Sequence, residues 1–512
     1  MKIKKFLIPV LLAGAVPTLT YPLLNKPSTA TNAKKTSPNH IPYDAIHTYI
    51  EGQMRRLKIP GASLAIVEGD RIVHFHGFGR AHPGGEAPTP QTPFVLGSTT
   101  KSITATAVMQ LVEAGKVELN APVQRYLPWF RVADPIASSQ ITVRHLLNQT
   151  SGLPMIPGMV NLADLDHRPD ACIRQARALS SLKLSHAVGT TFEYSNLNYN
   201  LLGLIVEAAS GETYTDYIQG HIFEPLGMVH SYASLQNAKA DGMAVGHRYW
   251  FGLPVATPNL PLAHGSLPSG QLISSCEDMA HYLVAHLNDG RYEEAQILSS
   301  ASIQEMQRGV AEQLVLGTPV TTYGMGWFIN NIDGVKVIAH GGNVPEFASY
   351  MAIIPEQKKG VVLLVNSDQW GLPLILMEVG DGVSALLAGR QPPPIKLGFF
   401  PWIMRTLPLI PLFQIAGILA LGRRLRSWRQ TPALLPGPGR ALKQYILPPL
   451  VPNLSLAALL QYLRSSGLLR YMNLYMPDSS MVVRISGGLA GIWALVLTSL
   501  MLRIVRKPSE LR

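Results

Sequence analysis

The chain has little charge and almost no cysteine. Charged residues fill 15% of its 512 positions, against about 25% in an ordinary soluble domain, which points to membrane content. Cys172 and Cys276 are the only cysteines and lie 104 residues apart. One disulfide between them is the alternative, but two buried, unpaired thiols are expected. No Cys-x-x-Cys or His-Glu-x-x-His spacing occurs, so neither a metal nor another cofactor is expected. No internal repeat is visible. Acidic residues are missing from one region above all. Residues 396–512 hold 15 of the 43 Lys/Arg but only Asp478 and Glu510 of the 32 acids, a net of +13, which leaves the rest of the chain at −2. The basic excess is therefore local, and nucleic acid loses its support as a partner.

Long uncharged runs stand at both ends. Met-Lys-Ile-Lys-Lys precedes 19 uncharged residues, Phe6–Leu24. A basic start before an apolar run reads as an export signal or an uncleaved anchor. Ala13-Gly14-Ala15 resembles a cleavage site but leaves a short apolar core. Either way the following domain lies outside the cytoplasm. Residues 1–40 are assigned to this segment and a polar linker. Pro392-Pro393-Pro394 marks a second boundary, so 41–390 is the expected enzyme domain and 391–512 a membrane domain. Thr406–Leu421, Tyr445–Leu463 and Ile485–Leu502 are free of charge for 16, 19 and 18 residues, near the ~20 a bilayer needs. The second contains Pro448, Pro449, Pro452 and Asn453. Arg and Lys cluster after the first run and after the third, which fits an outside–inside–outside–inside path. Gly487-x-x-x-Gly491 is a candidate helix-packing face. The lipid bilayer is thus an expected partner.

Between these ends the pattern is that of a globular domain. Ile46, Ile50, Met54 and Leu57 predict a helix over Tyr43–Leu57, with Pro60 just beyond. Ala62–Val67 and Arg71–Phe78 flank Glu68-Gly69-Asp70 as a hairpin. Val335–Ala339, Ser349–Ile354 and Gly360–Asn366 read as strands, the last two joined by a turn at 355–359. Residues 100–310 read mainly as helices and loops. One sheet assembled from both ends of the domain, beside an α-helical lobe, is the expected architecture.

Three stretches carry chemistry. In Gly97-Ser98-Thr99-Thr100-Lys101, the hydroxyl and the amine fall one helical turn apart on one face. If that face is dry, the lysine loses its charge and can take the serine's proton. The bland reading is a helix start with an incidental lysine. Tyr194-Ser195-Asn196 precedes a Leu/Ile-rich helix and can aim a phenol and an amide into a cleft; alternatively it is a buried tyrosine and a helix cap. Val337–Asn343 is a strand ending in His340-Gly341-Gly342, whose small residues let a substrate lie along its edge; alternatively it is a turn with an incidental histidine. His145 reads as structural and Trp327 as core packing or a cleft wall. His74 and His76 share a strand face, with no third ligand evident.

Taken together, in this order, the stretches resemble the class C β-lactamase and D,D-peptidase family of penicillin-recognising serine hydrolases. Val143-Arg144-His145-Leu146-Leu147-Asn148-Gln149-Thr150-Ser151-Gly152-Leu153, Pro225-Leu226-Gly227-Met228 and Tyr323-Gly324-Met325-Gly326-Trp327 are also similar to family segments. The resemblance spans about residues 42–388. It implies an α/β fold with an antiparallel sheet flanked by helices plus an α-helical lobe, here followed by a transmembrane segment. It implies Ser98 as nucleophile, with Lys101 and Tyr194 as proton carriers whose order stays open. Asn196 would bind the substrate amide, and the N–H groups of Ser98 and Asn343 would form an oxyanion hole. The family's β-lactamases carry Lys-Thr-Gly where this chain has His340-Gly341-Gly342. A weaker grip on a substrate carboxylate follows, and a small-molecule or peptide substrate with a D-amino acid is expected. The three spans resemble membrane-bound prodrug-activating peptidases. An esterase, a D-alanyl-D-alanine carboxypeptidase and a non-catalytic penicillin sensor are the alternatives. Oligomeric state stays open.

Overall fold

The computed structural model describes residues 41–258, 260–315, 318–368, 373–397 and 400–505. The N-terminal export or anchor segment and its linker lie outside the described residues, as do Arg506, Lys507 and Arg512. The chain forms two compact units. One runs to Arg248 and resumes over Pro254–Lys396; the other comprises Tyr249–Leu253 and the chain from Leu397 onward.

In the first unit eight strands form one sheet. They are β1 (Gly61–Glu68), β2 (Arg71–Gly79), β3 (Ala311–Val315), β4 (Thr318–Tyr323), β5 (Phe328–Ile332), β6 (Val335–Val344), β7 (Phe347–Ile354) and β8 (Lys359–Val365). Their order across the sheet is β2-β1-β8-β7-β6-β5-β4-β3. Two strands from the start of the domain thus pair antiparallel with six from its end, Ser63 opposite Leu364 at the seam. The hairpin at 69–70 turns on Gly69, whose φ of +63° suits glycine. Strands β3, β4 and β5 were not evident from sequence. They are short, with polar side chains such as Glu312, Gln313, Asn330 and Asn331, and lie toward the sheet's far edge.

Helices cover both faces of the central strands. Helix α1 (Tyr43–Leu57) buries Ile46, Ile50, Met54 and Leu57, the spacing seen in the sequence, and ends at a left-handed Lys58. Helices α2 (Thr100–Glu113), α3 (Asn196–Ser210) and α4 (Cys276–Leu287) belong to the middle of the chain, and α5 (Pro373–Leu387) follows the sheet. Met351, Ile353, Val362 and Leu364 join one core with Leu283 of α4. The alternate residue Tyr350 turns the other way and hydrogen-bonds Asp381 of α5 at 2.9 Å. Burial on both faces explains why β7 and β8 read as nearly unbroken apolar runs. Both cysteines are free; Cys276 is buried, while Cys172 is only half-buried.

The second unit contains α6 (Leu409–Gln430), α7 (Leu447–Ser465) and α8 (Pro477–Val505). Three helical stretches, Trp402–Gln430, Pro438–Ser465 and Pro477–Val505, have the length and mean hydropathy (1.6, 1.4 and 1.9) to cross a membrane. The prolines do not break the second: Pro448 and Pro449 sit in the first turn of α7, and Pro452 is carried inside it. Gln414 of α6 donates from Nε2 to Asn453 Oδ1 of α7 at 2.8 Å and to the Ser486 carbonyl of α8 at 3.0 Å. One buried amide thereby links the three helices. Phe413 and Leu495 remain 72% and 73% exposed, as side chains facing lipid would be. Of the candidate packing glycines, only Gly487 is in close contact; a Cβ there would come within 2.3 Å of Leu460, whereas Gly491 faces open space.

Candidate active site

Ser98 lies in a 3₁₀ turn, Gly97–Thr99, that runs directly into α2. The turn is pinned from below. Thr99 Oγ1 donates to the Leu96 carbonyl at 2.9 Å and lies 3.0 Å from Ser349 Oγ, which also donates to the Leu96 carbonyl. Ser98 itself is half-exposed, at the start of a helix whose other first-turn side chains are buried.

Lys101, one turn on, is fully buried. Its Nζ lies 3.0 Å from Ser98 Oγ, 2.7 Å from Asn196 Oδ1 and 2.6 Å from the Ser269 carbonyl. No carboxylate pairs with it among the described residues. Burial without a counter-charge holds its pKa well below the usual lysine value. A neutral amine here donates to Asn196 Oδ1 and the Ser269 carbonyl and turns its lone pair to the Ser98 hydroxyl. Once it takes that proton, the same three oxygens serve the ammonium without rearrangement.

Tyr194 is half-buried; burial raises its pKa, and the nearby Ser98 side chain opposes the rise. Lys101 Nζ stands 4.9 Å from the centroid of its ring. Asn196 opens α3 as its first helical residue, not as its cap. The loop that carries both depends on Gln149, a residue to which the sequence assigned no role. Gln149 adopts a φ of +60° and is fully buried. Its Oε1 accepts from the Ser195 N–H at 2.9 Å and from Asn198 Nδ2.

The stretch 340–343 comes from β6. It does not end the strand, which continues to Val344. Pairing with β5 stops at Phe328–Ala339, so β5 leaves the edge of 340–344 uncovered. On the other side Pro345-Glu346 makes a two-residue turn that closes on Val344–Phe347. A closing pair exchanges hydrogen bonds; by alternation Asn343 is in a non-bonded position, with its N–H directed away from β7 toward the open edge. That edge meets the Gly97–Thr99 turn. A Cβ on Gly97 would lie 2.5 Å from Asn343 N, and one on Gly342 would lie 2.8 Å from Ser98 N. Glycine at both places lets the two backbones touch.

His340 is 1% exposed. Its Nδ1 donates to the Gly341 carbonyl at 2.7 Å, so its Nε2 accepts from the Tyr323 hydroxyl at 3.3 Å. Burial above all lowers its pKa to about 3. It is a neutral imidazole. Gly341 lies against Met377 of α5. His145 accepts from the Thr142 N–H in a capping box, a structural position, and Trp327 is fully buried in the core beside His286.

An antiparallel sheet with a serine and a buried lysine one turn apart beside the uncovered end of an inner strand is the arrangement of the β-lactamase/transpeptidase fold. Residues 46–376 match the Beta-lactamase family model, and the chain belongs to that family. It is 30% identical over 335 residues to Protein flp of Staphylococcus aureus (strain MW2), covering 65% of this chain and 64% of the relative's length. It is 32% identical over 336 residues to Penicillin-binding protein 4 of Amycolatopsis lactamdurans, covering 64% of this chain and 86% of that protein. The octameric penicillin-binding protein homologue from Pyrococcus abyssi is similar in structure, with a TM-score of 0.60 and 30% identity over 72% of this chain and 81% of that one. The segment matched thus spans less than two thirds of Protein flp.

Proposed function

We propose that this protein is a membrane-anchored, extracytoplasmic serine hydrolase that cleaves an amide or ester bond through an acyl-enzyme on Ser98. The observation that carries this reading is the fully buried Lys101, aimed at Ser98 Oγ with no carboxylate partner among the described residues. The Ser98 oxygen attacks the substrate carbonyl carbon while its proton passes to Lys101 or Tyr194. The N–H groups of Ser98 and Asn343 hold the developing oxyanion, a contribution of roughly 3–4 kcal/mol for one donor. Collapse of the tetrahedral intermediate breaks the bond to the leaving group, which departs with a proton delivered through Tyr194. Water then attacks the acyl-enzyme by the reverse proton path. Asn196 binds the substrate amide; its Oδ1 is taken by Lys101, which leaves Nδ2 to donate to a substrate carbonyl.

The neutral His340 supports a peptidase acting on D-amino-acid substrates over a β-lactamase. Where a lysine would hold a substrate carboxylate, this chain offers no charge. The same observation favours an esterase as the second reading. The three apolar helices support anchoring, and the Arg and Lys that cluster after the first and third apolar runs favour a first unit outside. The test is turnover by the full chain in detergent across capped D-amino-acid amides, neutral esters, D-alanyl-D-alanine peptides and penicillin. Serine-dependent cleavage of an amide or ester, with penicillin acylating slowly, is the expected result. Binding of penicillin with no turnover of any substrate would instead make the protein a sensor.

A further inference from the structure

We propose that His47, His74 and His76 form a binding site for a divalent transition-metal ion of the zinc type. His74 and His76 are two residues apart on β2 and share one face of the strand. Helix α1 lies on that face and brings His47 over them, the third ligand that the linear sequence does not reveal. The imidazole nitrogens of the three, one from each ring, all lie within 4.8 Å of one another. The rings of His74 and His76 are nearly parallel, 6.3 Å apart at 6°, and the His47 ring stands 4.9 Å from one and 4.2 Å from the other.

The spacing is close to what an ion needs. Tetrahedral zinc with nitrogen at about 2.0–2.1 Å sets ligand atoms roughly 3.4 Å apart. His47 Nε2 and His74 Nε2 are 2.8 Å apart, so they would open by about half an ångström, and His76 would close by a larger ring rotation. All three side chains are half-buried: held by packing, yet open on one side for a water as fourth ligand. Asp44 and Glu51 act electrostatically on His47 and add negative charge for a cation. Phe78 closes one wall, 4.4 Å from the His76 ring. A simple histidine pair accounts for His47 and His74 but not for His76, whose ring nitrogens have no hydrogen bond among the described residues. Metal motifs such as Cys-x-x-Cys and His-Glu-x-x-His reveal only ligands that are neighbours in sequence. Here they come from two elements, 27 residues apart at the His47–His74 contact.

This is not part of the Ser98 site. Strands β1, β8 and β7 separate β2 from β6, a distance of ~19 Å at the usual strand spacing. The ion would clamp α1 to the edge strand β2 and stabilise the fold by mass action.

The test uses the full chain in detergent, free of any affinity tag and stripped with chelator, then titrated with Zn²⁺ by calorimetry and with Co²⁺ by visible absorption. One equivalent bound, the intense visible bands of tetrahedral cobalt and a thermal midpoint raised by several degrees are expected. His47→Gln and the double variant His74→Gln/His76→Gln should each weaken binding at least tenfold, while their metal-free thermal midpoints stay near that of the parent. X-ray absorption on the zinc-loaded parent should show three imidazole nitrogens near 2.0 Å, a result independent of how the variants fold. Absence of stoichiometric binding, unchanged affinity in the double variant, or fewer than three imidazole scatterers would overturn the proposal.

Discussion

Gln149 Oε1 accepts a hydrogen bond from the Ser195 backbone N–H at 2.9 Å, and this contact seats the loop that carries Tyr194 and Asn196. The glutamine holds its backbone at a φ of +60° to do so, a conformation that a non-glycine residue adopts at a cost.

Gln149→Ala should therefore loosen the loop as well as lower the stability of the fold. It strands the Ser195 N–H and the Asn198 amide in a buried place, a cost of about 1–3 kcal/mol per group. The expected result is a lower thermal midpoint together with a fall in kcat that exceeds any rise in KM. Gln149→Glu, which keeps an acceptor oxygen, should recover part of kcat.

Lys101→Met keeps the buried volume and removes the amine. Acylation of Ser98 should slow by about 10²- to 10⁴-fold, the usual worth of a general base, as read by the rate of labelling with a fluorophosphonate. Thermal unfolding should still be cooperative, because a flexible apolar chain fills the same space.

The same variant exposes a pH dependence. Burial lowers the pKa of Lys101 in the folded protein, so between that value and the unfolded value of about 10.4 the unfolded chain binds more protons. Stability due to this group therefore rises with pH across that window and levels off above it. The difference in thermal midpoint between the parent and Lys101→Met should move in the parent's favour as pH is raised. Acylation by the parent should fail on the acid side, as the amine becomes protonated. His340, with a pKa near 3, adds no step between pH 5 and 8.

Gly342→Ala tests the contact between the open edge of β6 and the Gly97–Thr99 turn. Its Cβ would meet the Leu96 carbonyl at 2.1 Å and Ser98 N at 2.8 Å. Both are backbone atoms, so the two segments must part. Activity should fall by more than tenfold, as expected when an oxyanion donor is displaced, and the thermal midpoint should drop as well.

Much of this was legible because the signals were periodic or local. The buried stripe of α1, the β1–β2 hairpin and the Ser98–Lys101 spacing each follow from one short segment. What was hidden depends on contacts between segments. Ser269 reaches Lys101 through its backbone carbonyl, so its side chain carries no trace of the role. Gln149 acts through an amide oxygen that meets Ser195 and Asn198, more than 40 residues away in sequence, only in the fold. His47 faces His74 only after α1 docks. Strands β3 to β5 are polar enough to pass for loops, and their pairing, not their composition, makes them strands.

The central claim is a buried amine that activates one serine among the many in this chain. Peptide mass spectrometry after fluorophosphonate treatment addresses it directly, with the parent and Lys101→Met handled side by side. A single adduct on the peptide containing Ser98 in the parent, and almost none in the variant at equal time, is the predicted outcome. Adducts on other serines, or equal labelling of Ser98 without the amine, would contradict it.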